Sequence, residues 1–254
     1  MIKFFRNIRQ TLIMENKTTK YLKYAIGEIV LVMIGILLAL QVNNWNEDRK
    51  DGIQGKKYLL RLVEELDTDL DNISSAINAL KNRKQRAEFL MKTIENPKLV
   101  EDSANYFVKS IEYAGYTSFP VISDNTFEEV KSSGKLSLIT NESIRGTLQQ
   151  YYSWTSKRNQ YNFIRENIQL SYLKEQKGIL NAEQQISMGS FADPYHFNKT
   201  EAKLTYERMV QKPEFLDLLP IIIKSQIRTG ETFEDIKQQS LDLKMMIQDE
   251  LNNR

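Results

Sequence analysis

The side chains that most often carry chemistry are scarce in this sequence. It contains no cysteine and a single histidine, His196. The lack of cysteine excludes thiol catalysis, disulfide bonds and cysteine-based zinc or iron–sulfur sites. One histidine is also too few for a two-histidine metal site within one chain. Because His196 lies in the loop sequence FADPYHF with no partner motif, we interpret it as a packed loop residue and not as a catalytic base.

A sequence similar to the end of a phosphate-binding loop occurs at residues 133–135. It reads Ser-Gly-Lys, but Glu129 replaces the first glycine of that motif, and Leu136 stands where a serine or threonine must bind magnesium. A loop that lacks both residues cannot hold a nucleotide phosphate together with its metal. We therefore expect no nucleotide site here.

Three aspartates alternate along the chain as the first ligands of a calcium loop do. They are Asp67, Asp69 and Asp71, but Asn72 and Asn78 occupy the positions of the required glycine and of the terminal glutamate. A solvated helix face explains these aspartates better than a calcium site. The sequence thus predicts no catalytic residues, no cofactor and no metal site, and we expect that the protein is not an enzyme.

An apolar stretch near the N-terminus has the length of a membrane span. Every residue from Ile29 to Leu40 is apolar or glycine, and the range 24–42 contains one charged residue. At about 1.5 Å per residue, this range spans close to the roughly 30 Å hydrocarbon core of a bilayer. A cleaved signal peptide is the rival interpretation, but the exit sequence LALQV is a poor cleavage site. We therefore expect an uncleaved transmembrane helix at residues 24–45.

Basic residues predict the orientation of this helix. The segment before it is rich in lysine and arginine, namely Lys3, Arg6, Arg9, Lys17, Lys20 and Lys23. The larger basic cluster is expected on the cytoplasmic side, so residues 1–23 are expected inside and residues 46–254 outside the membrane. Tyr24 and Trp45 would mark the two interfaces. Residues 2–13 form either a basic amphipathic helix at the membrane surface or a plain topology signal.

Glu28 is the charged residue within the apolar stretch, about 6 Å below Tyr24 by helix rise. One interpretation is an interfacial carboxylate paired with a nearby lysine. A second is a functional intramembrane acid. In a third, Glu28 shares a packing face with Gly35 and Ala39, because Gly35-x-x-x-Ala39 is a pair of small residues that permits close approach of a partner helix.

The N-terminal residues resemble a known group of proteins. The sequence MIKFFRNIRQ, followed by ENK and by KYLKYAIGEIVLVMIGILLALQVNNWNE, is similar to an uncharacterised Bacteroidota family of single-pass membrane proteins. A looser similarity occurs at TFEEVKSSGKLSLI, residues 126–139. The family is a domain of unknown function. The resemblance implies a membrane location and an α-helical outer domain, and it implies no activity and no catalytic residues. With the orientation expected above, it implies the inner membrane of a bacterium, with residues 46–254 in the periplasm.

Three long helices are predicted for the outer domain, at residues 55–94, 142–177 and 213–252. The first carries a heptad seam, and it can continue from the membrane helix and end before Pro97. Its apolar positions are Leu59, Val63, Leu66, Leu70, Ile73, Ile77, Leu80, Ala87, Met91 and Ile94. Pro220 predicts a kink or a late start in the last helix. Matched long helices favour an all-α fold, an elongated antiparallel helical bundle behind a single transmembrane helix.

Shorter elements connect these helices. A helix is predicted at residues 101–114 with Gly115 as its C-terminal cap, and a short helix follows with a capping box of Thr126 and Glu129. Residues 178–198 are polar and lack periodicity, so we expect a mobile loop. A further helix is expected near residues 200–211.

The charge balance and the absence of catalytic motifs direct the functional hypotheses. A net charge of +2 argues against a nucleic-acid partner. The leading hypothesis is a membrane-anchored scaffold or accessory subunit that binds a protein partner or forms a homo-oligomer. The alternatives are a ligand-sensing subunit that acts through a partner, and a transport or channel subunit that contains Glu28. Aromatic groups at residues 106–119 and 151–154 fit the bundle core, with a pocket or an interface as the alternative.

Overall fold

The computed structural model describes residues 18–158, 161–189 and 195–253. The structure is 84% helical, and its described residues form no strand, so the predicted all-α class is confirmed. The α-helices are α1 (Thr18–Glu95), α2 (Lys98–Asp102), α3 (Ala104–Tyr113), α4 (Asn125–Ser132), α5 (Glu142–Arg158), α6 (Asn162–Glu175), α7 (Ala182–Ser187), α8 (Lys199–Met209) and α9 (Pro213–Asn252). The basic segment that precedes Thr18 lies outside the described residues.

The chain divides into two units, Met1–Lys57 and Tyr58–Arg254. Helix α1 contributes residues to both, so the first long helix of the outer domain continues from the apolar stretch, as the sequence allowed. It ends at Glu95, two residues before Pro97. Proline at position 97 has no backbone N–H to donate and restricts the residue before it, which explains this end.

The second unit contains two apolar clusters. The first core joins α1 residues 58–80 to α4, to α5 and to the C-terminal part of α9, and it includes both Leu59 and Ile247. The second core joins α1 residues 87–90 to α2, α3 and α8, and to the N-terminal part of α9. Because low-numbered residues of α1 meet high-numbered residues of α9, these two helices run antiparallel. An ion pair between Lys244 and Asp67 links them in the first core.

The buried face of α1 differs in part from the predicted seam. One half of the predicted positions is fully buried, namely Leu59, Leu66, Ile73, Leu80 and Ala87. Of the other half, Val63, Ile77 and Met91 lie at the edge of the cores, Leu70 is half-buried and Ile94 is exposed. The buried face instead includes the flank formed by Leu62, Asp69, Ala76 and Leu90, with Arg83 half-buried at the equivalent position. A heptad pattern alone cannot tell which flank of a stripe faces the neighbouring helices. Because the prediction counted only apolar residues, it chose the less buried of the two flanks of the stripe.

Two predicted end signals have other roles in the structure. Gly115 is buried, its φ is not positive, and a Cβ at this position would overlap the ring of Tyr172. A glycine is required here because the backbone approaches the Tyr172 ring closely, and not because the position adopts the left-handed conformation of a helix cap. The predicted capping box of Thr126 and Glu129 is absent, because the Glu65 carboxylate of α1 accepts the hydrogen bonds of Thr126. Gly134 has a φ of +70° and ends α4, as the sequence predicted.

The region between residues 142 and 198 is more finely divided than predicted. Asn141 caps α5, since its Oδ1 accepts hydrogen bonds from the backbone N–H groups of Ser143 and Ile144. Within the expected single helix, the structure describes α5 up to Arg158 and α6 from Asn162. The expected mobile loop contains α7, which begins with a capping box of Asn181 and Gln184. The prediction of a wholly irregular segment was therefore wrong.

The last helix agrees with the prediction. It spans Pro213–Asn252, with Pro213 in the first turn, where the missing N–H costs no hydrogen bond. Pro220 lies inside the helix, so the predicted late start was wrong. The predicted helix near residues 200–211 is α8, and Asn198 and Glu201 form its capping box.

Candidate functional site

The predicted membrane-helix residues lie on the first part of α1. A window of this helix is apolar and long enough to cross a membrane, and none of it is buried inside the protein. Gly35 and Ala39 are exposed, and Glu28 is half-buried. Trp45 is 67% exposed at the polar end of the apolar stretch. Tyr24 is helical, but its side chain lies outside the described part. The roles proposed for these residues stay predictions.

A row of polar side chains on α1 binds the segment before α4. Asn72 Nδ2 donates to the carbonyl oxygen of Val121 at 3.1 Å, and Asp69 Oδ1 accepts from the backbone N–H of Ser123 at 2.9 Å. These residues are spaced by three along one helix face, so that the row follows the extended segment. The polar groups of α1 thus supply hydrogen bonds that the segment's backbone does not make within a helix or strand.

Glu65 continues this row and caps α4 from outside. Its Oε1 accepts from the backbone N–H of Thr126 at 3.2 Å and from the Thr126 hydroxyl at 2.7 Å. Asp124 occupies the N-cap position but makes no capping hydrogen bond with its side chain. A carboxylate next to the first turn of a helix satisfies a free N–H and interacts favourably with the helix dipole. Sequence reasoning missed this role because Glu65 is remote in sequence.

Asp69 is the most unusual group of this row. The sequence placed it on a solvated face, yet it is 1% exposed, whereas Asp67 and Asp71 are exposed. Burial, together with the smaller effect of the Glu65 and Asp124 charges, raises the pKa of the Asp69 carboxyl from its ordinary value of 3.8 to about 6, although the hydrogen bond from the Ser123 N–H opposes the shift. The group therefore exchanges a proton close to neutral pH.

Two tyrosines of α5 lie close enough to Asp69 to feel its charge. The Tyr151 hydroxyl and Ser240 Oγ are 2.7 Å apart, and burial raises the pKa of Tyr151 to about 12. Burial also raises the pKa of Tyr152. Asp69 Oδ2 and the Tyr152 hydroxyl are both buried and make no hydrogen bond to any residue that the structure describes. This arrangement can store a proton, but within the described ranges no three acidic or histidine groups are placed to hold a metal.

A polar layer separates the first core from the second. Arg83 of α1 lies between Leu80 and Ala87, which belong to different cores. On α9 the corresponding layer contains Gln226, whose Nε2 donates to the carbonyl oxygen of Tyr116 at 3.0 Å. Burial lowers the pKa of Arg83. Arg83 Nη1 and Gln226 Oε1 are buried without a hydrogen-bond partner in the described part of the chain.

A neighbouring arginine is held by aromatic rings. The Arg86 guanidinium lies 4.8 Å from the ring centroid of Tyr106 and 5.7 Å from that of Tyr113. Its Nε donates to Asn82 Oδ1 at 2.8 Å. Cation–π contacts of this kind stabilise a charge that is partly removed from water. Within the aromatic group at residues 106–119, Phe107 is buried in the second core and Tyr113 packs against it, in agreement with the core interpretation of these two residues.

A large open cleft lies beside the polar layer, between α5, α6 and α9. It encloses about 920 Å³. Its lining residues are Trp154, Lys157, Tyr161, Ile164, Arg165, Ile168, Ile221, Lys224, Ser225, Arg228, Thr229 and Thr232. The sequence assigned Trp154 to the core with a pocket as the alternative, and in the structure Trp154 both packs against the first core and lines this cleft. The sequence analysis interpreted His196 as a packed loop residue, but in the structure this side chain is exposed. The adjacent Phe197 is the residue that is buried.

Comparison with known proteins identifies a family but no function. No curated protein and no solved structure matches the chain. A family model matches residues 28–227, a span that includes Glu28, Asp69 and most of the cleft. This match confirms the predicted membership of a family of unknown function, while the Bacteroidota source and the anchor motif stay predictions. The chain therefore belongs to the family of unknown function DUF6090.

Proposed function

We propose that this protein is a membrane-anchored helical module that binds other proteins on the outer side of the bacterial inner membrane. The observation that carries the proposal is the apolar part of α1, where residues such as Ile29 and Leu37 expose about 60% of their surface. An apolar surface of this extent is costly in water, at about 25 cal/mol per Å². A bilayer removes that cost, and the single span leaves residues 46–254 free to meet a partner.

The orientation follows from the basic N-terminal segment. Six lysines and arginines precede the apolar stretch, and such clusters stay on the cytoplasmic side. The proposal that the module is not an enzyme rests on the lack of cysteine, the single histidine and the absence of a catalytic motif in the sequence.

The orientation is tested by cysteine labelling, which is clean because the chain has no native cysteine. Asn253→Cys and Asn7→Cys are expressed separately, and spheroplasts are treated with a membrane-impermeant maleimide. We expect labelling of Asn253→Cys in intact spheroplasts and of Asn7→Cys only after lysis. The opposite pattern would reverse the topology. Loss of the Asn7→Cys residue from the mature protein would show cleavage and refute the anchor.

Partner binding is tested by crosslinking in native membranes. A C-terminal tag allows purification of the crosslinked protein, and mass spectrometry identifies what is bound. A stoichiometric membrane partner would support an accessory subunit. Recovery of this chain alone would favour a homo-oligomer, and the absence of any crosslinked protein would contradict the proposal.

The anchor offers a matched pair of variants for the same assay. A Cβ at Gly35 or at Gly27 would meet nothing within 4 Å in this chain. A larger side chain at either position therefore changes contacts only with lipid or with another molecule. Gly35 shares a face with Glu28 and Ala39, whereas Gly27 lies about 100° away from Glu28 around the helix. If this face packs against a partner helix, Gly35→Ile abolishes the crosslink and Gly27→Ile does not.

A ligand-sensing subunit is the second candidate function. The cleft between α5, α6 and α9 favours it, because its volume is that of a small-molecule site. Within the part of the chain that the structure describes, one helix is long and apolar enough to span a membrane. A sensor of this form would therefore transmit its signal through a partner subunit.

A further inference from the structure

The cleft is built from three helix faces with regular spacing. Helix α9 contributes residues at positions 221, 224, 225, 228, 229 and 232, and α6 contributes Ile164, Arg165 and Ile168. Spacings of three and four place such residues on one side of a helix. Trp154 and Lys157 of α5 follow the same rule. The cleft is therefore a surface to which three helices contribute whole faces, and it is not a gap between loops.

The apolar part of this surface is exposed. Tyr161 is 58% exposed, Ile164 is 54% exposed and Ile221 is 47% exposed, although all three line the same concave site together with Trp154. Single exposed apolar residues are ordinary on a protein surface, but several that converge in a concave site are typical of a ligand or partner site. These side chains would lose contact with water if an apolar group occupied the cleft.

The charges of the cleft have one sign. Lys157, Lys224 and Arg228 line it together with Arg165, and none of the lining residues is acidic. Within the described part of the chain, no ion pair neutralises Lys157, Lys224 or Arg228. An occupant with a negative group would therefore gain favourable electrostatic interactions that the protein itself does not provide.

We propose that the cleft binds a small amphipathic anion, a molecule with an apolar chain or ring and one negatively charged head group. The apolar part would lie against Trp154, Ile164 and Ile221, and the head group would lie between Lys224 and Arg228. Lysine and arginine suit both carboxylate and phosphate head groups. The volume of about 920 Å³ lies within the range of small-molecule sites. The proposal does not depend on the membrane topology or on a protein partner.

Trp154 provides a reporter inside the proposed site. The chain has two tryptophans, and Trp45→Phe leaves Trp154 as the sole one. We would place this full-length variant in nanodiscs of zwitterionic lipid and record the emission during titration with octanoate. Octan-1-ol has the same chain without the charge, and acetate has the charge without the chain. We expect a saturable change with octanoate at a Kd at least tenfold below that for octan-1-ol, and no saturation with acetate.

Charge removal tests the site itself. Lys224 and Arg228 are exposed, so Lys224→Gln combined with Arg228→Gln should leave the core intact, and binding of octan-1-ol reports whether the apolar part of the cleft is intact. We expect octanoate affinity to fall at least tenfold. Lys199→Gln with Lys203→Gln is the matched control on α8, where both lysines are exposed and lie outside the cleft. It should bind octanoate like the parent.

Three outcomes would overturn the proposal. The first is no saturable change of Trp154 emission with octanoate. The second is equal affinity for octanoate and octan-1-ol. The third is unchanged octanoate binding by the Lys224→Gln, Arg228→Gln variant. If octanoate produces no saturable change of Trp154 emission and an acidic amphipathic peptide does produce one, the cleft is a protein-docking groove.

Discussion

Replacement of Asp69 by asparagine should stabilise the protein at alkaline pH. The side chain keeps its shape, and its Oδ1 can still accept the hydrogen bond from the Ser123 N–H. What changes is the charge, because the asparagine cannot ionise. The buried carboxylate of the native protein carries a cost of ionisation that the variant avoids.

The magnitude and the pH range follow from the raised pKa. The pKa of Asp69 rises from 3.8 to about 6 on folding, so the folded state holds a proton that the unfolded state has already lost within this range. Stability is therefore greatest below pH 3.8 and falls as the pH rises through 6. One pKa unit corresponds to about 1.4 kcal/mol, so ionisation of Asp69 lowers the free energy of unfolding at pH 8 by at most about 3 kcal/mol. Solvent relaxation reduces this loss of stability to about 1–3 kcal/mol.

Thermal unfolding of the full-length protein in nanodiscs measures this effect. A stability gain of 1 kcal/mol raises the Tm of a domain of this size by about 2–4 °C. We expect Asp69→Asn to melt above the parent at pH 8, to keep about half of this advantage at pH 5 and to lose it as the pH falls through 3.8. Asp71→Asn is the control, because Asp71 is exposed on the same helix. An equal or lower Tm of Asp69→Asn at pH 8, or a gain that does not depend on pH, would refute the reasoning.

Two further substitutions test a close contact and a helix cap. Gly115→Ala should destabilise the protein by about 1–3 kcal/mol, because the added Cβ would overlap the Tyr172 ring. Its control is Gly146→Ala on an open helix surface, which should stabilise the protein by about 0.5–1 kcal/mol. Equal Tm values for these two variants would contradict the close approach. Glu65→Ala should cost about 1–2 kcal/mol through loss of the cap on α4. The exposed Glu64→Ala is its control, and an equal loss in both would disprove the capping role.

The sequence predicted the elements whose signals are local. Pro213 begins a helix, Asn141 caps one and Gly134 ends one, because each effect depends on the backbone within a few residues. The same kind of signal was present for α7, where Asn181 and Gln184 form a capping box that the polar composition obscured. Local signals therefore predicted most helix boundaries.

The candidate sites could not be predicted because they depend on the pairing of helices. Asp69 lies at a heptad position of the buried face, but a count of apolar residues skips an aspartate. The cleft needs α6 beside α9, and the 3–4 spacing of Ile221, Lys224 and Arg228 indicates a helix face without saying what lies opposite. Which faces meet is a property of tertiary packing and is not encoded in any short window.

The polar residues of the buried face of α1 also restrict how the helices can align during folding. Asp69 and Arg83 occupy equivalent heptad positions, with Ala76 between them and Leu62 and Leu90 on either side. A slip of one heptad between α1 and its neighbours would separate Asp69 from the Ser123 N–H and would move both charges out of the layers that they now occupy. Buried polar groups at seam positions specify register in this way in other helical assemblies. We expect the two charges to reduce stability and to select one alignment from several that the leucines alone would accept.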